Sequence, residues 1–256
     1  MMDQKPNISE TLEKGLRILD LFSGDESGFT LSEITHRIGV NKTSVYRFVN
    51  TLCMMGYLKK DPKSRIYKLG LRTIPLAQSF LQKAEIVQAV KPLVDEVHKQ
   101  YDLHIDVGIR HGDAIYLAYR RESKDTLAFF HFITGPEMHC LATGKAAMAY
   151  MDEEELNDLL DRISLKPKTF HTITDKEALI KDLHQARQRG YVLNREEFLP
   201  GLIAIGAPLF NLYENKVIGG ISFDSSTTQY TIEQFEKKYA SLLVGLAKKL
   251  SAVITV

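Results

Sequence analysis

The sequence lacks the features of a secreted or membrane protein. It has two cysteines, Cys53 and Cys140, which lie far apart, so a structural disulfide is not expected and a reducing compartment fits. Its start, MMDQKPNISE, has no apolar core of the kind that a signal peptide needs. No segment approaches the roughly 20 consecutive apolar residues of a membrane helix. We therefore expect a cytoplasmic protein.

Internal repeats, low-complexity tracts and a glycine-rich phosphate loop are also absent from the sequence. His139 and Cys140 are adjacent, so on a strand their side chains would diverge and could not easily form a Cys–His nucleophile pair. No pair among His131, His139 and Cys140 has the spacing of a structural zinc site. The sequence therefore predicts no enzyme, no cofactor and no metal ligand.

Acidic residues are almost missing from one stretch. Between His36 and Arg72 the only one is Asp61, whereas nine residues are basic: Arg37, Lys42, Arg47, Lys59, Lys60, Lys63, Arg65, Lys68 and Arg72. Residues 1–83 carry 13 Lys and Arg against 8 Asp and Glu, a net charge of +5, and the rest of the chain carries −4. Because a patch of one sign attracts phosphates, we expect only the N-terminal part to meet DNA.

The same stretch predicts two short helices joined by a tight turn. Thr30 and Glu33 have capping-box spacing, and Gly39 ends the first helix. Asn41 is an N-cap for the second helix. The apolar side of that helix consists of Val45, Phe48, Val49, Leu52 and Met55. Its polar side is free for base edges and phosphates, as in a recognition helix, and the predicted DNA-binding residues there are Lys42, Thr43, Ser44, Tyr46, Arg47 and Asn50.

A basic hairpin follows the second helix. A strand starts at Tyr57, Asp61 and Pro62 mark a turn, and a return strand starts at Ile66. Such a hairpin is a wing, which can touch the DNA backbone or minor groove beside the recognition helix. The wing residues predicted to bind DNA are Lys59, Lys60, Lys63 and Arg65. An ordinary solvated helical hairpin has no need of this local positive field.

The rest of the chain predicts further helices and strands on either side of the basic stretch. It predicts a helix over residues 10–23, with Leu12, Leu16, Leu19 and Phe22 on one side and Ile18 adding to that side. Residues 71–81 predict a linker helix that starts or kinks near Pro75. The remainder predicts an α+β domain. Its expected helices are 86–100, 145–150, 153–162, 175–189 and 232–254, and its expected strands are 103–110, 114–120, 127–133, 191–194, 203–209 and 217–224, with a loop at 135–144.

Three N-terminal segments resemble the winged helix-turn-helix of the IclR family of bacterial transcription regulators: LEKGLRILDLF, LSEITHRIGVNKTSVYRFVNTL and GYLKKDPKSRIYKLG. Three later segments resemble the effector-domain motifs of that family, in the family's order: HCLATGKAAMAY, YVLNREEFLPGLIAIGAPLF and VIGGISFDSS. The resemblance covers nearly the whole chain. It implies a winged helix-turn-helix domain over 8–70, a linker helix over 71–84 and a GAF-like effector-binding domain over 85–256.

The resemblance also implies a function. It points to a regulator that binds a near-palindromic operator as a homodimer or a dimer of dimers and responds to a small-molecule effector, with repression the commoner mode in the family. The alternative is an enzyme or small-molecule-binding protein that uses the winged helix only for protein interaction. Carried over by position, the implied effector-binding residues are Ala142, Thr143, Asn194, Ala204, Ser222 and Asp224.

Three of these positions depart from the pattern of family members that bind small oxo-acids. Where those members have Asp, Cys and the second Ser of Ser-x-Ser, this chain has Asn194, Ala204 and Asp224. The charge of Asp224 disfavours an anion unless a cation or proton intervenes. We therefore expect a ligand that is neutral or polyhydroxylated, or larger and partly aromatic in view of Phe129, Phe130 and Phe132. Alternatively, Asn194 and Asp224 are strand-end residues bonded to the backbone.

Overall fold

The computed structural model describes residues 8–24, 26–124, 134–135 and 137–254. The chain forms two compact units, Met1–Phe80 and Leu81–Val256. The division falls inside the predicted linker of residues 71–84.

The first unit is built from short helices and a two-stranded hairpin. Its elements are α1 (Glu10–Asp20), a 3-10 turn (Leu21–Ser23), α2 (Leu31–Ile38), α3 (Lys42–Met54), β1 (Leu58–Lys60) and β2 (Tyr67–Leu69), followed by α4 (Thr73–Lys83). Pro75 lies in the first turn of α4, where it removes no intrahelical hydrogen bond, so it starts the helix and does not kink it. The buried residues of this unit are Ile18, Phe22, Phe29, Ile34, Ile38, Val45, Val49, Leu58 and Tyr67.

The capping predictions in this unit are confirmed. Thr30 accepts from the Glu33 backbone N–H and the Glu33 carboxylate accepts from the Thr30 backbone N–H, which is a complete capping box. Gly39 ends α2 at φ 71°, and the Asn41 side chain accepts from the Ser44 backbone N–H at the start of α3. The two-helix arrangement therefore follows from local side-chain chemistry.

Two residues on the predicted apolar side of α1 do not meet the core of this unit. Leu12 and Leu16 are 62% and 52% exposed, whereas Ile18 is fully buried. Periodicity identifies residues that share a side of a helix, but not which side meets the core. Met55, predicted on the apolar side of the second helix, is exposed because α3 ends at Met54 and the chain turns at Gly56, which has φ 79°.

The second unit is an antiparallel sheet with helices on both faces. Its elements are α5 (Glu85–Tyr101), β3 (His104–His111), β4 (Ala114–Arg121), β5 (Thr134–Gly135), a 3-10 turn (Met138–Cys140), α6 (Ala142–Met148), α7 (Glu153–Arg162), α8 (Lys176–Arg189), β6 (Val192–Arg195), β7 (Leu202–Asn211), β8 (Lys216–Ser226) and α9 (Ile232–Val253). The strand order is β5-β4-β3-β8-β7-β6. This confirms the α+β prediction.

The two faces of the sheet bury different sets of residues. One face packs Ile105, Ile205 and Phe223 against α5 and α9. The opposite face packs Val192 and Ala204 against α6, α7 and α8. Because side chains alternate along a strand, the second face also carries every other residue of β3 and β8, among them His104, Asp106, Ser222 and Asp224.

Predicted boundaries in this unit differ from the structure by up to three residues, with the largest difference at the start of α6, and one predicted strand is not described. Helix α6 begins at Ala142 and not at Lys145. Gly144 permits the early start, since a Cβ there would lie 2.4 Å from the Met138 carbonyl oxygen. The predicted strand 127–133, with His131, Phe129, Phe130 and Phe132, lies outside the described residues.

Candidate functional site

The polar side of α3 is open to solvent. Val45 and Val49 are fully buried, and Thr43, Tyr46 and Arg47 on the other side are exposed. Within the described part of the chain, no hydrogen bond or ion pair engages the Arg47 side chain. The six predicted residues of this helix are exposed or half-buried: Lys42, Thr43, Ser44, Tyr46, Arg47 and Asn50.

The hairpin beside α3 is short, and its turn is held by hydrogen bonds. Lys59 of β1 pairs with Lys68 of β2, and the Asp61 carboxylate accepts from the backbone N–H groups of Lys63 and Ser64. These hydrogen bonds lower the pKa of Asp61, so it stays ionised while it shapes the turn. The four predicted wing residues are all exposed: Lys59, Lys60, Lys63 and Arg65. Their charges thus face solvent beside the polar side of α3.

The second unit brings all six carried-over effector residues to one small cavity of about 10 Å³, close to the space that a single water molecule needs. Strand register explains part of this, because Asn194 lies opposite Ala204 and Ala204 lies opposite Asp224. The cavity is lined by Leu141, Ala142, Thr143, Asn194, Phe198, Leu202, Ala204, Ser222 and Asp224. Its volume is below the ~300–1,000 Å³ that is usual for ligand pockets. A ligand larger than a water molecule would therefore require the cavity to widen.

The amide of Asn194 is already occupied by the backbone. Its Nδ2 donates to the Cys140 carbonyl at 2.6 Å, and its Oδ1 accepts from the Glu197 N–H at 3.0 Å. This agrees with the alternative that Asn194 is a strand-end residue bonded to backbone groups. Asn194 therefore holds the loop after β6 against the start of α6.

Asp224 is in a different situation. Its Oδ1 and the Thr143 hydroxyl are buried and have no hydrogen-bond partner among the described residues, and both residues line the cavity. Burial, together with the nearby charge of Asp106, raises the pKa of Asp224 to about 6. A ligand that donates hydrogen bonds could satisfy both oxygen atoms.

A charged cluster that the sequence analysis missed surrounds Asp224. His104 Nε2 lies 3.4 Å from Asp106 Oδ1 and 4.0 Å from Asp224 Oδ2. Arg120 donates to both oxygens of Asp106 at 2.7 Å. Burial opposes ionisation of Asp106, but the bonds from Arg120 and His104 outweigh it and lower its pKa. Burial likewise opposes protonation of His104, and the carboxylates overcome it and raise its pKa.

A second missed group joins α6 to α8 and to the loop after β6. Lys145 is fully buried, and its Nζ lies 2.6 Å from Glu197 Oε1 and 2.8 Å from Asp182 Oδ2. Burial raises the pKa of Glu197, although Lys145 acts against it. Thr169 and Thr172 donate to the carbonyls of Glu196 and Glu197 at 2.6 Å. The loop that contributes Phe198 to the cavity is thus fixed at several points.

Two glycines of β8 permit close backbone packing. A Cβ on Gly220 would lie 2.4 Å from the Thr143 carbonyl oxygen, and one on Gly219 would lie 2.0 Å from the Gly108 carbonyl oxygen. Glycine inside a strand often marks such an approach. In the described residues, the approaching groups are the backbone of α6 and of β3.

His139 and Cys140 have separate backbone partners. They lie in the 3-10 turn and not on a strand, so the reason that we gave for their divergence is wrong. His139 Nε2 hydrogen-bonds with the Lys166 carbonyl at 3.0 Å, and the Cys140 thiol donates to the Glu137 carbonyl at 3.4 Å. Both side chains are buried.

Cys140 should be inert toward thiol reagents in the native protein. Burial raises its pKa to about 12, so almost no thiolate is present at pH 8. Cys53 is half-buried and more accessible. In the folded chain we expect maleimide to modify no cysteine other than Cys53. In denaturant it should modify both cysteines, as measured by peptide mass spectrometry. Rapid labelling of Cys140 in the native chain would contradict its described burial.

None of the helices in the described residues is long and apolar enough to span a membrane.

Comparison with known proteins gives matches over both units. The description "Bacterial transcriptional regulator IclR C-terminal" matches residues 78–252, and "IclR helix-turn-helix domain" matches residues 11–62. The regulator BhcR of Paracoccus denitrificans is 32% identical over 84% of this chain and 77% of its own length. The regulator KdgR of Escherichia coli is 28% identical over 98% of this chain and 95% of its own. A crystal structure of an IclR regulator from Alicyclobacillus acidocaldarius, 28% identical, superposes with a TM-score of 0.76 over 96% of this chain and 98% of that one.

Proposed function

Because this chain belongs to the IclR family of bacterial transcriptional regulators, we propose that it is a ligand-responsive repressor of a catabolic operon that binds a near-palindromic operator as a dimer. The family membership confirms the resemblance drawn from the sequence and identifies a DNA-binding transcriptional regulator, not an enzyme. The observation that carries the proposal is the exposed polar side of α3 beside a basic hairpin, in a chain whose second unit encloses a polar cavity.

The dimer is supported by apolar surface that the first unit leaves uncovered. Leu12 and Leu16 lie four residues apart on α1 and are exposed. Helix α4 has no buried residue, although Ile74, Leu76 and Phe80 are apolar. A second copy of the chain would cover such surfaces. Dimerisation would also give two recognition helices, which on a near-palindromic operator meet major grooves about 34 Å apart.

The proposed effector carries hydroxyl groups. The cavity offers two buried oxygen atoms without partners, Thr143 Oγ1 and Asp224 Oδ1, to a ligand that donates hydrogen bonds. A small volume favours a short polyhydroxylated compound over a large aromatic one. In calorimetry with a chelator present, neutral sugars should bind more tightly than the anions glyoxylate and pyruvate. Tighter binding of the two small oxo-acids would refute this ligand class.

Operator binding tests the function directly. The protein is titrated against the DNA upstream of its own gene, at several salt concentrations and with excess random DNA. A gel that also contains sugar acids, aromatic acids and small oxo-acids reports release by the effector. Binding that survives the competitor and is weakened by one compound is the expected result. Binding lost equally to random DNA means that this operator or the regulatory role is wrong.

Arg47→Ala should weaken specific binding. If Arg47 reads a base, the loss is about 1–3 kcal/mol; if it contacts a phosphate, the salt slope falls by ~1. The matched control is Arg189→Ala, which removes an exposed arginine from α8 of the second unit. Unchanged affinity and slope in Arg47→Ala would place Arg47 outside the DNA interface.

A further inference from the structure

The buried cluster of His104, Asp106, Asp224 and Arg120 has an unbalanced charge. Two carboxylates face one guanidinium, so the group carries one excess negative charge when His104 is neutral. All four side chains are buried or nearly so, with His104 3%, Asp106 0% and Asp224 7% exposed. An unneutralised buried charge is costly, so the cluster requires a cation or a proton.

The geometry of the cluster suits a metal ion. A ring nitrogen of His104, a carboxylate oxygen of Asp106 and a carboxylate oxygen of Asp224 lie within 4.8 Å of one another. Two zinc bonds of about 2.1 Å place their ligand atoms about 3.4 Å apart at the tetrahedral angle. The distance from His104 Nε2 to Asp106 Oδ1 is 3.4 Å, and that to Asp224 Oδ2 is 4.0 Å, so small movements complete the site.

Each carboxylate has capacity left for an ion. Arg120 occupies two of the four lone-pair sites of Asp106, one on each oxygen. Asp224 Oδ1 has no hydrogen-bond partner among the described residues, although it is buried. His104 and Asp224 also line an open cleft of about 390 Å³, which gives an ion a route from solvent.

We propose that His104, Asp106 and Asp224 bind a divalent transition-metal ion such as Zn²⁺, whose remaining coordination position receives an oxygen atom of the effector. The second half of this proposal rests on the proposed function, because Asp224 also lines the effector cavity. Three protein ligands leave a fourth position open on a tetrahedral ion. The ion would reverse the local charge, so that a carboxylate or hydroxyl oxygen becomes a favourable partner beside Asp224.

Calorimetry with Zn²⁺ alone tests the metal site on the chelator-stripped, full-length protein. One Zn²⁺ should bind per chain, and His104→Ala and Asp224→Asn should each weaken binding by more than about 100-fold. The matched controls are His111→Ala, at the exposed end of the same strand, and Asp161→Asn, an exposed carboxylate. If His104→Ala does not fold, His104→Gln replaces it.

A spectroscopic signal and an effector titration complete the test. Co²⁺ bound to the wild-type chain should give a visible absorption band that changes in the His104 variant and not in His111→Ala. No saturable binding of Zn²⁺, or equal binding by variants and controls, would overturn the site. If Zn²⁺ binds but does not raise the affinity for the effector at least tenfold, the proposal that the ion coordinates an oxygen atom of the effector is wrong. Failure of operator binding with the zinc site intact would instead refute the regulatory function.

Discussion

Replacing Lys145 with methionine should lower the free energy of unfolding by about 3–5 kcal/mol, the usual cost of removing one partner from a buried ion pair. Lys145 is fully buried, and its ammonium group is 2.6 Å from Glu197 and 2.8 Å from Asp182. Methionine fills a similar volume, so the loss comes from two carboxylates left without their cation. Urea unfolding followed by circular dichroism measures the change.

The pH dependence of this variant identifies the cause. The pKa of Glu197 is already raised by burial, and loss of Lys145 raises it further. A group whose folded-state pKa exceeds its unfolded value stabilises the fold below the unfolded pKa, and this stability is lost as pH rises through the folded pKa. The deficit of Lys145→Met should therefore shrink as the pH falls from 7 toward the ordinary range of a glutamate.

Two further variants make the comparison specific. Lys145→Met combined with Glu197→Gln should be more stable than Lys145→Met alone, because the second change removes an uncompensated buried charge. Lys181→Met, on the exposed side of α8, should stay within about 0.5 kcal/mol of the wild type. A loss for Lys145→Met as small as that of Lys181→Met would mean that the ion pair contributes little.

Local signals in the sequence predicted local structure well. The capping box of Thr30 and Glu33, the cap at Asn41 and the terminal Gly39 each act within four residues, so their pattern is readable without the fold. Helix α7 has the predicted bounds, and α8 starts within one residue of its predicted start, with Asp175 as its N-cap. Leu12 and Leu16 show the limit, because their exposure depends on what else packs against α1.

The residues that line the cavity were named from the resemblance to the IclR family, whereas the buried charged residues beside it were not. Lys145 lies in a run of small residues, where nothing in the pattern indicated a buried cation. Its partner Glu197 is 52 residues away, and the pair forms only because α6 packs on β6 and β7. A resemblance by position also could not show that the amide of Asn194 is used by the backbone.

The cluster around Asp224 left one signal in the sequence. His104 and Asp106 alternate with Ile105 and Val107 in the predicted strand 103–110. His104 is brought opposite Asp224 by the pairing of β3 with β8, two strands that are distant in sequence. The polar side of a strand normally faces solvent, so the alternation alone does not indicate that His104 and Asp106 are buried. They are buried because α6 packs over this face of the sheet.

Removing three lysines from the hairpin should have the largest effect on DNA binding. In the variant Lys59→Ala, Lys60→Ala and Lys63→Ala, the slope of log affinity against log salt should become less negative by about 0.9 for each lost phosphate contact, or about 2.7 in all. Arg65 is retained, because its φ of 59° would place an alanine in a strained backbone. The three side chains are exposed, and the hairpin itself is held by strand pairing and by Asp61, so the fold should persist.

A second triple variant separates local contact from total charge. Lys181→Ala, Lys248→Ala and Lys249→Ala remove the same charge from exposed positions of the second unit. If the hairpin touches phosphates, only the first variant changes the salt slope, and it weakens operator and random DNA alike because phosphates carry no sequence information. Equal slopes in the two variants would mean that the hairpin acts through long-range attraction alone. A loss confined to the operator would instead mean that these lysines read bases, and the hairpin would then be a second source of sequence recognition beside α3.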